Sequence, residues 1–199
     1  WGLGEPVGAL TNSLTQWLQG MQQGSIVMLA VIMGLMLAFD MGGPVNKVAY
    51  AFMLICVAQG VYTVVAIAAV GICIPPLGMG LATLIGRKNF SAEVMGCVGV
   101  TEGAIPFAAA DPLRVIPSIM VGSVCGAVTA ALVGAQCYAG WGGLIVLPVV
   151  EGKLGYIAAV AVGAVVTAVC VNVLKSLARK NGSSTDEKED DLDLDFEIN

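Results

Sequence analysis

The 199-residue chain is 57% hydrophobic and 12% charged and has no histidine, whereas a soluble domain is about 25% charged. Residues 1–174 carry 5 basic and 6 acidic side chains and residues 175–199 carry 4 and 8, so the net charge of -5 divides into -1 and -4. That argues against a soluble protein and, with no basic stripe, rules out a nucleic-acid binder; it predicts an all-alpha, polytopic membrane helix bundle with broken or re-entrant segments.

The first residue is Trp1 and no secretory signal opens the chain, so the sequence is expected to start inside a longer protein. Residues 20–39 are uncharged and long enough to cross a bilayer, which takes about 20 apolar residues. They end at Asp40, Gly42, Gly43, Pro44, Asn46 and Lys47, a glycine-proline turn. There Pro44 and the glycines impose unusual backbone geometry, and Asn46 offers both donors and acceptors. An interfacial loop with Asp40 and Lys47 in water explains the cluster as well as a ligand site does. Residues 48–74 contain no charge and predict a second span. An unbroken run of that length does not fit barrel strands of about ten alternating residues.

Residues 75–86 begin with Pro75 and Pro76, are too short to cross, and end at Arg87 and Lys88. A hairpin arm, a tilted surface helix and half of a broken helix all fit them. Residues 94–112 place Glu102 and Asp111 in a small, apolar run. Irregular backbone at membrane depth needs protein or a water-filled cavity around it, and polar groups there mark ligand or ion sites. Glu102, flanked by Thr101 and Gly103 and followed by Pro106, can accept hydrogen bonds from two adjacent hydroxyls of a sugar. An internal ion pair with Arg114 is the competing role. Asp111 and Arg114 are expected to act structurally, with Asp111 capping the helix that Pro112 opens.

Residues 115–139 and 154–174 predict two further spans, giving four in all, with residues 140–150 between them as a re-entrant loop or short helix. Gly122 with Gly126 and Gly155 with Gly163 suit closely approaching helices. Lys175, Arg179 and Lys180 follow the last span and put the carboxyl terminus in the cytoplasm. The acidic remainder of residues 175–199 is expected to be a disordered tail. Tyr50, Tyr62, Phe107 and Trp141 suit either sugar stacking or interface anchoring.

The six cysteines stand singly among apolar neighbours and read as packing residues. With no Cys-x-x-Cys pair and no histidine, no metal is expected. No nucleotide-binding loop, no cofactor motif and no Ser-His or Cys-His pair occurs, so the chain is expected to hold no catalytic residue. Any covalent chemistry would be done by a partner.

With these residues in view, the chain resembles the membrane-embedded IIC domain of the fructose family of the bacterial phosphoenolpyruvate-dependent sugar phosphotransferase system. DMGGPVNKVAYAF at 40–52, PPLGMGLATLI at 75–85 and GVTEGAIPFAAADPLRVIPSIMVGS at 99–123 carry the resemblance, which spans about residues 20–174. It implies that residues 1–174 are part of a permease domain in the cell inner membrane. The carboxyl-terminal part of a IIC domain is the expected match, with earlier helices missing. Such a domain takes a fructose-like sugar and presents it to a phosphocysteine on a IIB domain, itself charged by IIA, in the same polypeptide or as separate chains. The phosphorylated residue would then lie outside this chain. IIC domains are usually homodimers.

The family's Gly-Ile-Thr-Glu glutamate, which binds sugar hydroxyls, matches Glu102 in Gly99-Val100-Thr101-Glu102, with valine for isoleucine. The expected substrate contacts are Glu102, Thr101, Gly103 and Asn46. Asp40, Lys47, Pro44, Pro75, Pro76, Asp111 and Arg114 are expected to serve structure or gating. Mannosylglycerate or mannose as substrate, an ion-coupled secondary carrier, and a purely structural membrane subunit are the alternatives.

Overall fold

The computed structural model describes residues 25–83 and 95–181. Helix α1 (Ile26–Phe39) leads through a tight turn into α2 (Pro44–Gln59) and then α3 (Tyr62–Thr83). After a helical stretch at 95–98, a 3-10 turn (Thr101–Ala104) runs into the short α4 (Ile105–Ala110) and then α5 (Pro112–Leu132). Strands β1 (Gln136–Cys137) and β2 (Val150–Glu151) pair antiparallel around a 3-10 segment (Leu144–Val149), and α6 (Lys153–Asn181) completes the bundle.

Helix α3 is the hub, buried on every side from Val64 to Pro76 and packed against α1, α2, α5 and α6. A helix apolar all round belongs in such a position. By contrast, α6 leaves Ile157, Val162, Val165, Val169, Val173 and Leu177 exposed as one long apolar face. In water such a face would be a liability; against lipid it has no cost. Tyr62–Thr83, Pro112–Leu132 and Lys153–Leu177 are long and apolar enough to cross a membrane. This is a polytopic membrane helix bundle.

Residues 48–74 do not form one span. They break at Gly60, whose φ of 76° closes α2 in a left-handed cap. Its N–H donates to the Val57 carbonyl at 3.2 Å and the Val61 N–H to the Cys56 carbonyl at 2.9 Å, which uses up carbonyls the helix end leaves free. Hydrophobicity cannot signal this break, because both sides of Gly60 are equally apolar. Pro75 and Pro76 sit inside α3 instead of opening a separate arm. Helices α1 and α2 have 14 and 16 residues, about 21 and 24 Å at 1.5 Å per residue, short of a hydrocarbon core of roughly 30 Å. Three crossing helices therefore stand among the described residues where four spans are predicted. The third predicted span starts at Pro112 and stops at Leu132, and the fourth continues beyond Leu174 to Asn181. Residues 20–24, the basic pair Arg87 and Lys88, and the acidic tail from 182 onward lie outside the described residues.

Glycines set the helix crossings. A Cβ on Gly122 would strike Thr167 Oγ1 and come within 2.7 Å of the Gly163 carbonyl oxygen, so α5 and α6 touch backbone to backbone. At Gly34, α1 meets α5 in the same way, where a Cβ would lie 2.9 Å from the Ser123 carbonyl oxygen. Gly126 and Gly163 both admit the Ile74 side chain of α3.

Candidate functional site

Pro75 and Pro76 have no N–H, so within α3 the carbonyls of Gly71 and Ile72 lose their helical donors. Thr101 Oγ donates to the Ile72 carbonyl at 3.2 Å, and the Thr101 side chain is buried. The proline doublet in α3 thus anchors the 3-10 turn that carries Glu102. Gly103 completes the seat, since a Cβ there would come within 3.0 Å of Pro76 and 2.9 Å of Met95.

Further up α3, the loop between the strands makes a second backbone contact. Gly99 (φ 87°) and Gly143 (φ 89°) face each other too closely for any side chain. The Gly143 N–H donates to the Ala69 carbonyl at 3.3 Å and the buried Tyr156 hydroxyl to the Gly143 carbonyl at 2.8 Å. Trp141 Nε1 donates to the Val98 carbonyl at 2.6 Å, with its ring edge-on to Tyr50 at 6.3 Å. Ala69 to Pro76 lies about 10 to 21 Å along a helix about 33 Å long, so both loops meet the middle of α3.

The turn at 40–43 approaches from the other side. Met41 (φ 45°) and Gly42 (φ 106°) are both left-handed, a conformation that is uncommon for a non-glycine residue. The Asp40 carboxylate holds it by accepting from the N–H of Val45 at 2.7 Å and of Asn46 at 2.9 Å, which caps α2 behind Pro44. Gly43 is needed because a Cβ would lie 2.6 Å from Asp40 Oδ2. Asn46 is buried, and its Nδ2 donates to the Leu37 carbonyl in the last turn of α1 at 2.6 Å.

Glu102 lies across this turn. A Cβ on Gly42 would fall 2.5 Å from Glu102 Oε1, and Lys47 Nζ stands 3.7 Å from the same oxygen. The side chains of Lys47 and Glu102 are 66% and 42% exposed, and an ion pair so open to solvent contributes about 0 to 1 kcal/mol. The fold therefore draws little stability from it.

Of the sequence-predicted residues, the structure therefore brings Glu102, Thr101 and Gly103 together with Asp40, Pro44, Asn46 and Lys47, beside Pro75 and Pro76. Asp111 and Arg114 form their own unit at the start of α5. There Asp111 accepts from the Arg114 backbone N–H at 3.3 Å and from Nη1 at 2.9 Å. Arg114 thus pairs with Asp111, and Glu102 with Lys47. Thr101, Gly103 and Asn46 are buried, with the Thr101 hydroxyl and the Asn46 amide donor committed to backbone carbonyls. Sequence reasoning missed that use of Thr101; the signal available was the proline doublet, which guarantees carbonyls in need of a donor. It also missed Tyr156 and the Trp141 to Val98 bond, which nothing in the local sequence marks. At the mouth of the strand loop, Tyr138 donates to Glu151 Oε2 at 2.7 Å, and this bond raises its hydroxyl pKa above the ordinary phenol value.

No protein-family model matches the chain, and no solved structure matches it. Among curated proteins, it is 96% identical over 208 aligned positions to the fructose-like permease IIC component 2 of Escherichia coli K12, covering 100% of this chain and 58% of that protein. The sequence matches the fructose-family IIC components of the phosphotransferase system. The fructose-specific EIIB'BC component of Xanthomonas campestris pv. campestris is 46% identical over 86% of this chain and 32% of that protein. The fructose-specific EIIC component of Haloferax volcanii is 40% identical over 87% of this chain and 49% of that protein. The chain thus spans from about a third to just over half of these relatives. The Escherichia coli relative's name as a permease is in keeping with the three helices long and apolar enough to span and the exposed apolar side of α6.

Proposed function

We propose that this chain is the part of a fructose-like IIC permease of the inner membrane that binds the sugar and presents it to a phosphorylated IIB domain. Uptake and phosphorylation are then coupled. The placement of Glu102 carries the reading: a half-exposed carboxylate seated on the proline doublet of α3 and against the glycine turn. It accepts hydrogen bonds from two adjacent sugar hydroxyls and orients the one that attacks phosphorus, and such positioning can supply several kcal/mol. Thr101 and Gly103 seat the turn that carries this carboxylate on α3, and Asn46 ties the start of α2 to α1, while Asp40, Pro44, Pro75 and Pro76 shape the two backbones that meet there. Asp111 and Arg114 fasten the start of α5.

The names of the relatives support a fructose-like sugar and a coupled IIB domain. IIB draws its phosphate from IIA, the permease works as a homodimer as the family resemblance implies, and residues 175–199 emerge into the cytoplasm. The chemical form of internalised sugar tests the proposal. Vesicles holding the full-length permease and phosphorylated IIB should accumulate sugar phosphate from labelled fructose. Free sugar accumulating with an ion gradient would establish the secondary carrier instead, and phosphate on mannose or mannosylglycerate alone would reassign the substrate.

Gly42→Ala probes the seat of the carboxylate. Its φ of 106° and a Cβ within 2.5 Å of Glu102 Oε1 force the carboxylate away. The expected loss is about tenfold in sugar affinity, one misplaced charged hydrogen bond, with about 1 to 2 kcal/mol of backbone strain. Fructose binding to purified permease, read beside thermal unfolding, checks both numbers.

A further inference from the structure

We propose that Lys47 is the group that meets the phosphoryl oxygens as phosphate passes to the sugar hydroxyl held by Glu102, an inference that rests on the sugar-site reading above. The transfer has an electrostatic problem that the geometry makes visible. A phosphoryl group reaching a hydroxyl on Glu102 brings its negative charge up to that carboxylate, and the Asp40 carboxylate sits in the same turn that caps the start of α2. Without a cation, like charges oppose the approach. Lys47 Nζ lies 3.7 Å from Glu102 Oε1, so any hydroxyl on that oxygen has the ammonium beside it.

Two features argue against a merely structural lysine. It is 66% exposed, so its pairing with Glu102 adds little to the fold. It also lies near the amino-terminal end of α2, where the helix dipole disfavours a cation and the end N–H groups are already occupied by Asp40. Local helix physics therefore does not select lysine at this position, whereas phosphate binding does: a compact ammonium on a flexible stem can follow the oxygens as they move.

In the step itself, the S–P bond of the phosphocysteine donor on IIB breaks and its electron pair stays on sulfur as the thiolate. The sugar oxygen forms the new O–P bond, and its proton passes to the Glu102 carboxylate. As that carboxylate is neutralised, Lys47 turns from it to the phosphoryl oxygens.

The test uses the full-length permease in vesicles with phosphorylated IIB, comparing Lys47→Met and Lys47→Arg. Equilibrium binding of labelled fructose without a phosphoryl donor is read beside the phosphorylation rate at saturating fructose. Lys47→Met should keep fructose binding within about threefold and lower the phosphorylation rate by about 100-fold, the scale of one lost transition-state donor. Lys47→Arg, which keeps the charge, should recover at least about tenfold of that loss. Equal losses of binding and rate in Lys47→Met, an unchanged rate, or no recovery with arginine would overturn the proposal. Should the methionine variant fail to insert, Lys47→Gln against Lys47→Arg gives the same comparison. Failure of the underlying sugar-site reading is separately visible as wild-type fructose binding by Glu102→Gln.

Discussion

Glu102→Gln is expected to weaken fructose binding by about 10- to 100-fold and to lower phosphorylation at least as much, with the fold unchanged. The substitution keeps shape and volume. It replaces an acceptor with two oxygens by an amide that accepts on one side and donates on the other, so one of two sugar hydroxyls loses its partner. A hydrogen bond to a charged group is worth about 1.5 to 3 kcal/mol, and about 1.4 kcal/mol is tenfold. The fold is spared because the Lys47 pair is half open to solvent and contributes about 1 kcal/mol at most. Binding of labelled fructose to purified permease, with thermal unfolding of the same sample, separates the two effects. Unchanged affinity and turnover would remove Glu102 from the site.

Gly122→Leu should have the largest effect on stability, about 3 kcal/mol or more, at the upper end of overpacking costs. The new Cβ would collide with Thr167 Oγ1 and press on the Gly163 carbonyl, and a backbone carbonyl cannot swing aside as a side chain can. Relief requires α5 and α6 to separate, which also strips Gly126 and Gly163 from Ile74. Gly60→Ala is the matched control. Gly60 is left-handed at φ 76° with nothing within 4 Å of the added carbon, so it should lose only the local strain of about 1 to 2 kcal/mol. Thermal unfolding and monodispersity in detergent compare them. Equal melting of Gly122→Leu and wild type would show that the crossing is looser than the glycine contacts require.

The site is built from breaks in regular structure that support one another. Pro75 and Pro76 release carbonyls in the hub helix, and Thr101 binds the one at Ile72. The left-handed turn at Met41 and Gly42 is held by Asp40, and removal of one side chain at Gly42 opens the space that Glu102 occupies. Each irregularity would be costly alone in a membrane, where an unpaired backbone group has no water to turn to. Together they bring a half-exposed carboxylate and an exposed ammonium within 3.7 Å of each other.

By itself, the sequence determined the membrane class, because uncharged runs of span length have no other stable environment. It singled out the polar positions as candidates for a site, because charges are costly at membrane depth. The cap at Asp111 was legible too, since a carboxylate directly before a helix-opening proline has a local partner. Only the tertiary structure decided that residues 48–74 are two helices, that the proline doublet lies inside the hub, and that Glu102 faces Lys47 while Arg114 serves Asp111. Hydrophobic patterning carries no information on those points when a chain is apolar on every face, as α3 is. Which carbonyl receives a hydroxyl, and which glycine makes room for a carboxylate, follow from contacts between residues dozens of positions apart.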